Sequence, residues 1–178
     1  MEPTSKRQKL EELPWLAQFY DESLAEINMK WTNVGKGGGD ELAEALVANS
    51  SLRSLVVERC GLAYHGGRAL GVALGKGTSL TYLDLSLNDI GPDGGRAFGD
   101  ALRVNCTLTS LVMAKCGLGP EGGRAVAQAL ESNTTLLTLN LDGNDVGMDG
   151  GRAFGAALAA NVRATCPCPA TVLLTLLP

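Results

Sequence analysis

Leucines and their apolar substitutes fall into columns along this chain. Leu52, Leu55 and Val57 return as Leu80, Leu83 and Leu85, as Leu108, Leu111 and Met113, and as Leu136, Leu139 and Leu141, each time 28 residues on. The stretches that carry them are SLRSLVVERCGL, SLTYLDLSLNDI, TLTSLVMAKCGL and TLLTLNLDGNDV, and SLAEINMKWTNV precedes them in the same style. Together they read L-x-x-L-x-L-x-x-(N/C/T)-x-(L/I/V). Apolar and polar positions alternate over L-x-L, which predicts a short strand with one buried face. The second half of each unit shifts to helical spacing. Ala97, Phe98, Ala101 and Leu102 form an apolar stripe, while Arg96, Asp100 and Arg103 share the opposite face.

The repetition organises the whole chain. NDIGPDGGRAFGDALRVN at 88–105 returns at 144–161 with thirteen of eighteen positions identical, an offset of 56, which is two units. Five units of 28 residues fit without a gap, at 23–50, 51–78, 79–106, 107–134 and 135–162. Residues 1–22 form a tail and a helical cap, in which Leu13, Leu16, Phe19 and Tyr20 would cover the first unit. Residues 163–178 read as a degenerate tail, because Ala164, Pro167 and Pro169 stand where a sixth unit needs leucines. Either the fold is truncated here, or its apolar VLLTLLP would pack over the last helix or drive self-association.

Other columns carry their own expectations. Small residues at Ala43, Gly71, Gly99, Ala127 and Gly155 would let helix and strand approach closely, and paired glycines such as Gly94–Gly95 would complete the turn between them. Asn49, Asn105, Asn133 and Asn161 would close the helices in the left-handed conformation. Asp93, Glu121 and Asp149 suit the helix starts, and Arg96, Arg124 and Arg152 follow three positions later, with Arg68 in the same column. One unit cannot bury its apolar side alone, so the units must stack into a continuous core. The fold class is α/β: a curved solenoid arc with parallel strands on the concave side and helices on the convex side.

Composition narrows the function. The net charge of −4 provides no basic footprint for nucleic acid. The apolar runs fall short of the ~18 residues that span a bilayer, so no membrane partner is expected. Five cysteines, an odd number at scattered positions, do not form a disulfide framework, and Cys60 and Cys116 read as structural. The expected location is cytoplasmic, with the run Lys6-Arg7-Gln8-Lys9 as the feature that would instead address the nucleus.

Catalytic chemistry is scarce. The one histidine, His65, occupies the column of the helix-start acids. LGKGT at 74–78 fails as a phosphate loop, since Leu70 replaces its first glycine and Gly77 follows the lysine. Cys166-Pro-Cys168 is a lone pair of thiols. No catalytic residue, metal site or cofactor is expected, and the chain reads as not an enzyme.

What remains is the outward face of the strands. There the positions change in size and sign while the leucine columns barely change. Trp31, Glu58, Arg59, Tyr82, Asp84, Leu87, Lys115, Asn140 and Asp142 are the candidate partner-binding residues. Aromatic, aliphatic and charged groups side by side suit recognition of another protein. The expected function is a non-enzymatic protein–protein interaction module.

The strand pattern followed by G-x-x-G-G-R-A-x-x-x-A-L-x-x-N resembles the ribonuclease-inhibitor type of leucine-rich repeat. That repeat also occurs in the sensor ends of NOD-like receptors and in Ran GTPase-activating proteins. The alternation Cys60, Asn88, Cys116, Asn144 is similar to the inhibitor's two-repeat rhythm, and the resemblance covers Ser23 to Val162. It implies the arc-shaped fold and two alternative functions, a GTPase activator or a fragment of a receptor's sensing end. The Ran family carries a strongly acidic tail, whereas residues 163–178 contain no acid.

Overall fold

The computed structural model describes residues 6–35, 37–164 and 173–175. Five strands recur with the predicted period: β1 (Glu26–Asn28), β2 (Ser54–Val56), β3 (Tyr82–Asp84), β4 (Ser110–Val112) and β5 (Thr138–Asn140). They pair in parallel and in sequence order, with Ile27, Leu55, Leu83, Leu111 and Leu139 in register. A sixth strand, β6 (Leu173–Thr175), extends the sheet and places Leu174 opposite Leu139. The leucine columns do not foretell it, because β5 to β6 takes 35 residues (Thr138 to Leu173) instead of 28. The backbone of these three tail residues is therefore engaged by the chain's own sheet. Pro167, Pro169 and the Cys166/Cys168 pair lie outside the described residues.

A helix follows each of the first five strands: α2 (Gly38–Ala48), α3 (Ala63–Gly75), α4 (Gly91–Leu102), α5 (Gly119–Leu130) and α6 (Gly147–Ala164). Each helix packs on the next, as each strand does. Helices are about 10 Å across and strands sit about 4.8 Å apart, so the stack curves with strands inside. The leucine columns are buried between the two layers, Leu83 and Leu85 completely. Ahead of the first strand, α1 (Lys6–Glu12) and a 3-10 segment (Pro14–Tyr20) seal the end of the core with Leu16 and Phe19. Leu10, Leu13 and Trp15 pack against that core at half burial, whereas Tyr20 is exposed, so the cap uses Leu10 and Trp15 where the spacing suggests Tyr20.

The glycines serve a different contact from the one expected. Gly66–Gly67 and Gly94–Gly95 lie inside helices, not in the preceding turns. A methyl group on Gly95 would stand 2.6 Å from the Cα of Gly122 in the next helix, and one on Gly99 would meet the Ala125 carbonyl at 2.7 Å. The close approach is thus helix to helix. Bare backbone sets the spacing of the convex layer.

The asparagine column also departs from expectation. Asn49 is extended (φ −90°), and none of Asn105, Asn133 and Asn161 has a positive φ. All four are buried. The Asn105 amide donates to the Leu74 carbonyl of the preceding repeat at 3.2 Å, and its oxygen accepts from the Thr107 and Leu108 N–H groups. Asn49, Asn133 and Asn161 likewise donate to carbonyls of the preceding unit. These side chains staple one repeat to the one before it, supplying partners to backbone groups that burial would otherwise leave unsatisfied.

Candidate partner-binding face

Strand exits create the most constrained part of the molecule. Just beyond the ends of β1 to β4, the residues Trp31, Arg59, Leu87 and Lys115 adopt φ of 68°, 53°, 59° and 53°, and Gly143 follows in the same column at 67°. A left-handed backbone costs a side-chain-bearing residue about 1–2 kcal/mol. The neighbouring repeat enforces it. The N–H groups of Trp31, Arg59, Leu87 and Lys115 donate to the carbonyls of Glu58, Ser86, Ala114 and Asp142, one repeat further on, at 2.7–2.9 Å. This is strain held by a backbone ladder, and four bulky side chains sit where glycine would be at ease.

The turn throws those side chains outward. Trp31 is 58% exposed and Leu87 42%, and Arg59 and Lys115 are exposed too. The Arg59 guanidinium lies over the Trp31 ring, 4.4 Å from its centroid. Beside them a recess of about 410 Å³ opens between Arg59 and Leu87, with Gly61, Ala63 and Asp89 on its walls. Among the described residues, no carboxylate lies within ion-pair reach of Arg59 or Lys115.

The strand ends and the residues just beyond them form a second, flatter row. Tyr82, Asp84, Asn140, Asp142 and Glu58 are half-buried there. Glu58 pairs with Lys30 at 2.6 Å, across the repeats. Asp84 accepts from both the N–H and the hydroxyl of Ser86, and Asn140 accepts from the Asp142 N–H. Burial, helped by the charges of Asp84 and Glu58, holds the Tyr82 phenol above its ordinary range. The nine residues singled out in the sequence thus divide. Trp31, Arg59, Leu87 and Lys115 form an exposed ridge, and Glu58, Tyr82, Asp84, Asn140 and Asp142 form the floor beside it.

Elsewhere, the two buried thiols and two of the arginines are tied into the fold. The Cys60 thiol donates to the Met29 carbonyl at 2.9 Å and the Cys116 thiol to that of Leu85 at 3.3 Å. Burial pushes the two thiols up to about 11 and about 12. Arg96 pairs with Asp93 and also with Glu121 of the next helix, and Arg152 with Asp149. Lys76 caps the end of α3, whereas a phosphate loop needs a helix start. Among the described residues no cluster of metal-ligating side chains occurs, and no helix is long and apolar enough to cross a membrane.

Comparison with known proteins decides the architecture. A family model described as Leucine Rich repeat matches residues 78–99, 104–127 and 132–155. This is a leucine-rich-repeat fold. The arc is similar to a solved structure of the leiomodin-1 actin-binding site 2, with a TM-score of 0.67 and 22% identity over 91% of this chain and 92% of that one. It is also similar to the tropomodulin C-terminal domain of Caenorhabditis elegans, with a TM-score of 0.64 and 18% identity over 85% of this chain and 93% of that one. No curated protein sequence matches the chain. At these identities the likeness speaks for the leucine-rich-repeat arc alone, since one architecture hosts many partners.

Proposed function

We propose that this chain is a non-enzymatic protein-binding module that receives its partner on the strand side of the arc, across the ridge and the floor. One observation carries the reading: bulky, exposed side chains occupy four successive left-handed positions, where glycine would relieve the backbone strain. The Arg59–Trp31 pair supplies the aromatic and guanidinium anchors that dominate binding energies at protein interfaces. We also assign the repeats to the ribonuclease-inhibitor type, supported by the 28-residue step and the Cys60, Asn88, Cys116, Asn144 alternation.

Replacing Trp31, Arg59 and Tyr82 together by alanine tests the site. Partner capture in a pull-down is expected to disappear while circular dichroism and the thermal midpoint stay as in the parent. Retained capture would remove the face from consideration. Actin is the first partner to try, because the leiomodin domain that shares this fold is described as an actin-binding site.

A further inference from the structure

We infer that the ridge is built for an acidic partner, and that it grips an extended acidic segment through Arg59 and Lys115 with apolar contacts at Trp31 and Leu87. This rests on the strand-side reading above and adds the chemistry of what binds there. The chain is acidic overall, at −4, yet its outermost strand-side row carries two cations with no carboxylate partner among the described residues. Of the nearby acids, Glu58 is paired with Lys30, while Asp84 accepts from Ser86 and keeps its charge. Neither ridge cation is ion-paired among the described residues, which leaves both open to a carboxylate from outside the chain. Arg59 is further fixed by its stack on Trp31, so less side-chain freedom is lost on binding.

Spacing narrows the partner further. Arg59 and Lys115 stand two repeats apart, which at the inter-strand distance is about 10 Å. A polyproline II segment has three residues per turn and rises ~3.1 Å per residue, so acids at i and i+3 share a face about 9 Å apart. An apolar residue between them would reach Leu87 or the recess next to it. Asp89 on the recess wall disfavours a third acid there, which selects the apolar side chain. The predicted ligand is an acid-x-x-acid segment with an aliphatic residue between the acids, carried by a partner protein.

The test uses the full chain and a synthetic peptide of four Glu-Pro-Leu triplets, with the Lys-Pro-Leu peptide as its charge-reversed control. Binding is followed by calorimetry and by the fluorescence of exposed Trp31. The Glu peptide is expected to bind saturably and the Lys peptide not to bind. Affinity should fall about tenfold between roughly 50 and 300 mM salt. The double substitution Arg59→Glu and Lys115→Glu should remove the binding, while Arg103→Glu on the convex helix face leaves it intact. Equal binding of both peptides, no binding of either, or binding that survives the double substitution overturns the inference. If the Glu peptide fails while the Trp31, Arg59 and Tyr82 triple variant still loses its protein partner, the docking face stands and only its acidic preference falls.

Discussion

The joints between repeats come in two kinds. At the joint between the second and third repeats, Asn88 reaches back into the earlier repeat with its whole side chain. Its oxygen accepts from the Cys60 and Leu62 N–H groups at 3.0 and 3.2 Å, and its amide donates to the Val57 carbonyl at 2.7 Å and to its own repeat's Leu85 carbonyl at 2.8 Å. Asn144 repeats this between the fourth and fifth. At the strand-exit bend between the third and fourth repeats backbone groups take that place, while Asn133 bonds the Leu102 and Asn105 carbonyls at the helix end of the same joint. Ile90 donates directly to the Cys116 carbonyl at 3.0 Å, and the thiol adds a single bond to Leu85. The first joint has the same form, Val34 to Cys60. Alternation of two joint chemistries accounts for the 56-residue echo, since the true period of the chain is a pair of bricks. At the strand exit, an asparagine joint depends on one side chain, whereas a cysteine joint mostly does not.

Asn88→Ala probes the two joint types most severely. It strands two buried N–H groups and two carbonyls, and should cost about 3–5 kcal/mol in urea unfolding. Cys116→Ala, which removes one weak thiol bond and a little volume, should cost about 1–2 kcal/mol. Equal losses for the two would end the distinction. Between these in size, Gly95→Ala pushes a methyl into the Gly122 backbone and should cost about 2–3 kcal/mol. Gly155→Ala has nothing within 4 Å among the described residues and should stabilise by about 0.5–1 kcal/mol, as alanine does in a helix.

A smaller effect is set by pH. Cys60 and Cys116 keep their protons up to about 11 and about 12 in the folded chain, against 9.0 for an ordinary thiol. Because the folded values are raised, the contribution to stability is complete below pH 9 and is lost as pH climbs towards 11–12. Thermal midpoints measured from about pH 8 upwards should fall, and Cys116→Ala should flatten that fall. A slope identical in the variant would show that this thiol does not carry it.

Much of the fold is legible in the sequence because burial writes a periodic signature. Leu55, Leu83, Leu111 and Leu139 must face one core at one register, and a shift of a single residue would turn them outward. Cys60 and Asn88 are legible as small hydrogen-bonding groups at the bend, though not as two joint types, since the partner groups belong to a different repeat. Residue type misplaces the left-handed positions. It puts them at Asn49 and Asn105, where asparagine suits them, and they occur at Trp31, Arg59, Leu87 and Lys115, whose types disfavour them. Only Gly143 in the same column signals the turn. The sixth strand is hidden by the longer step before Leu173, which breaks the period that makes the others readable. The candidate residues emerge as a set, but their division into ridge and floor depends on a backbone turn that composition does not reveal.

The proposed function has Trp31, Arg59, Leu87 and Lys115 serving a partner and not the fold, and replacing all four by glycine puts it to the test. Each backbone there already has the conformation glycine accepts freely. The relief of strain and the added freedom of the unfolded chain roughly cancel, so the thermal midpoint should stay within about 4 °C of the parent while partner binding is lost. A midpoint that collapses with these substitutions would show that the side chains hold the fold together, and binding that persists through them would show that the ridge is not the docking face.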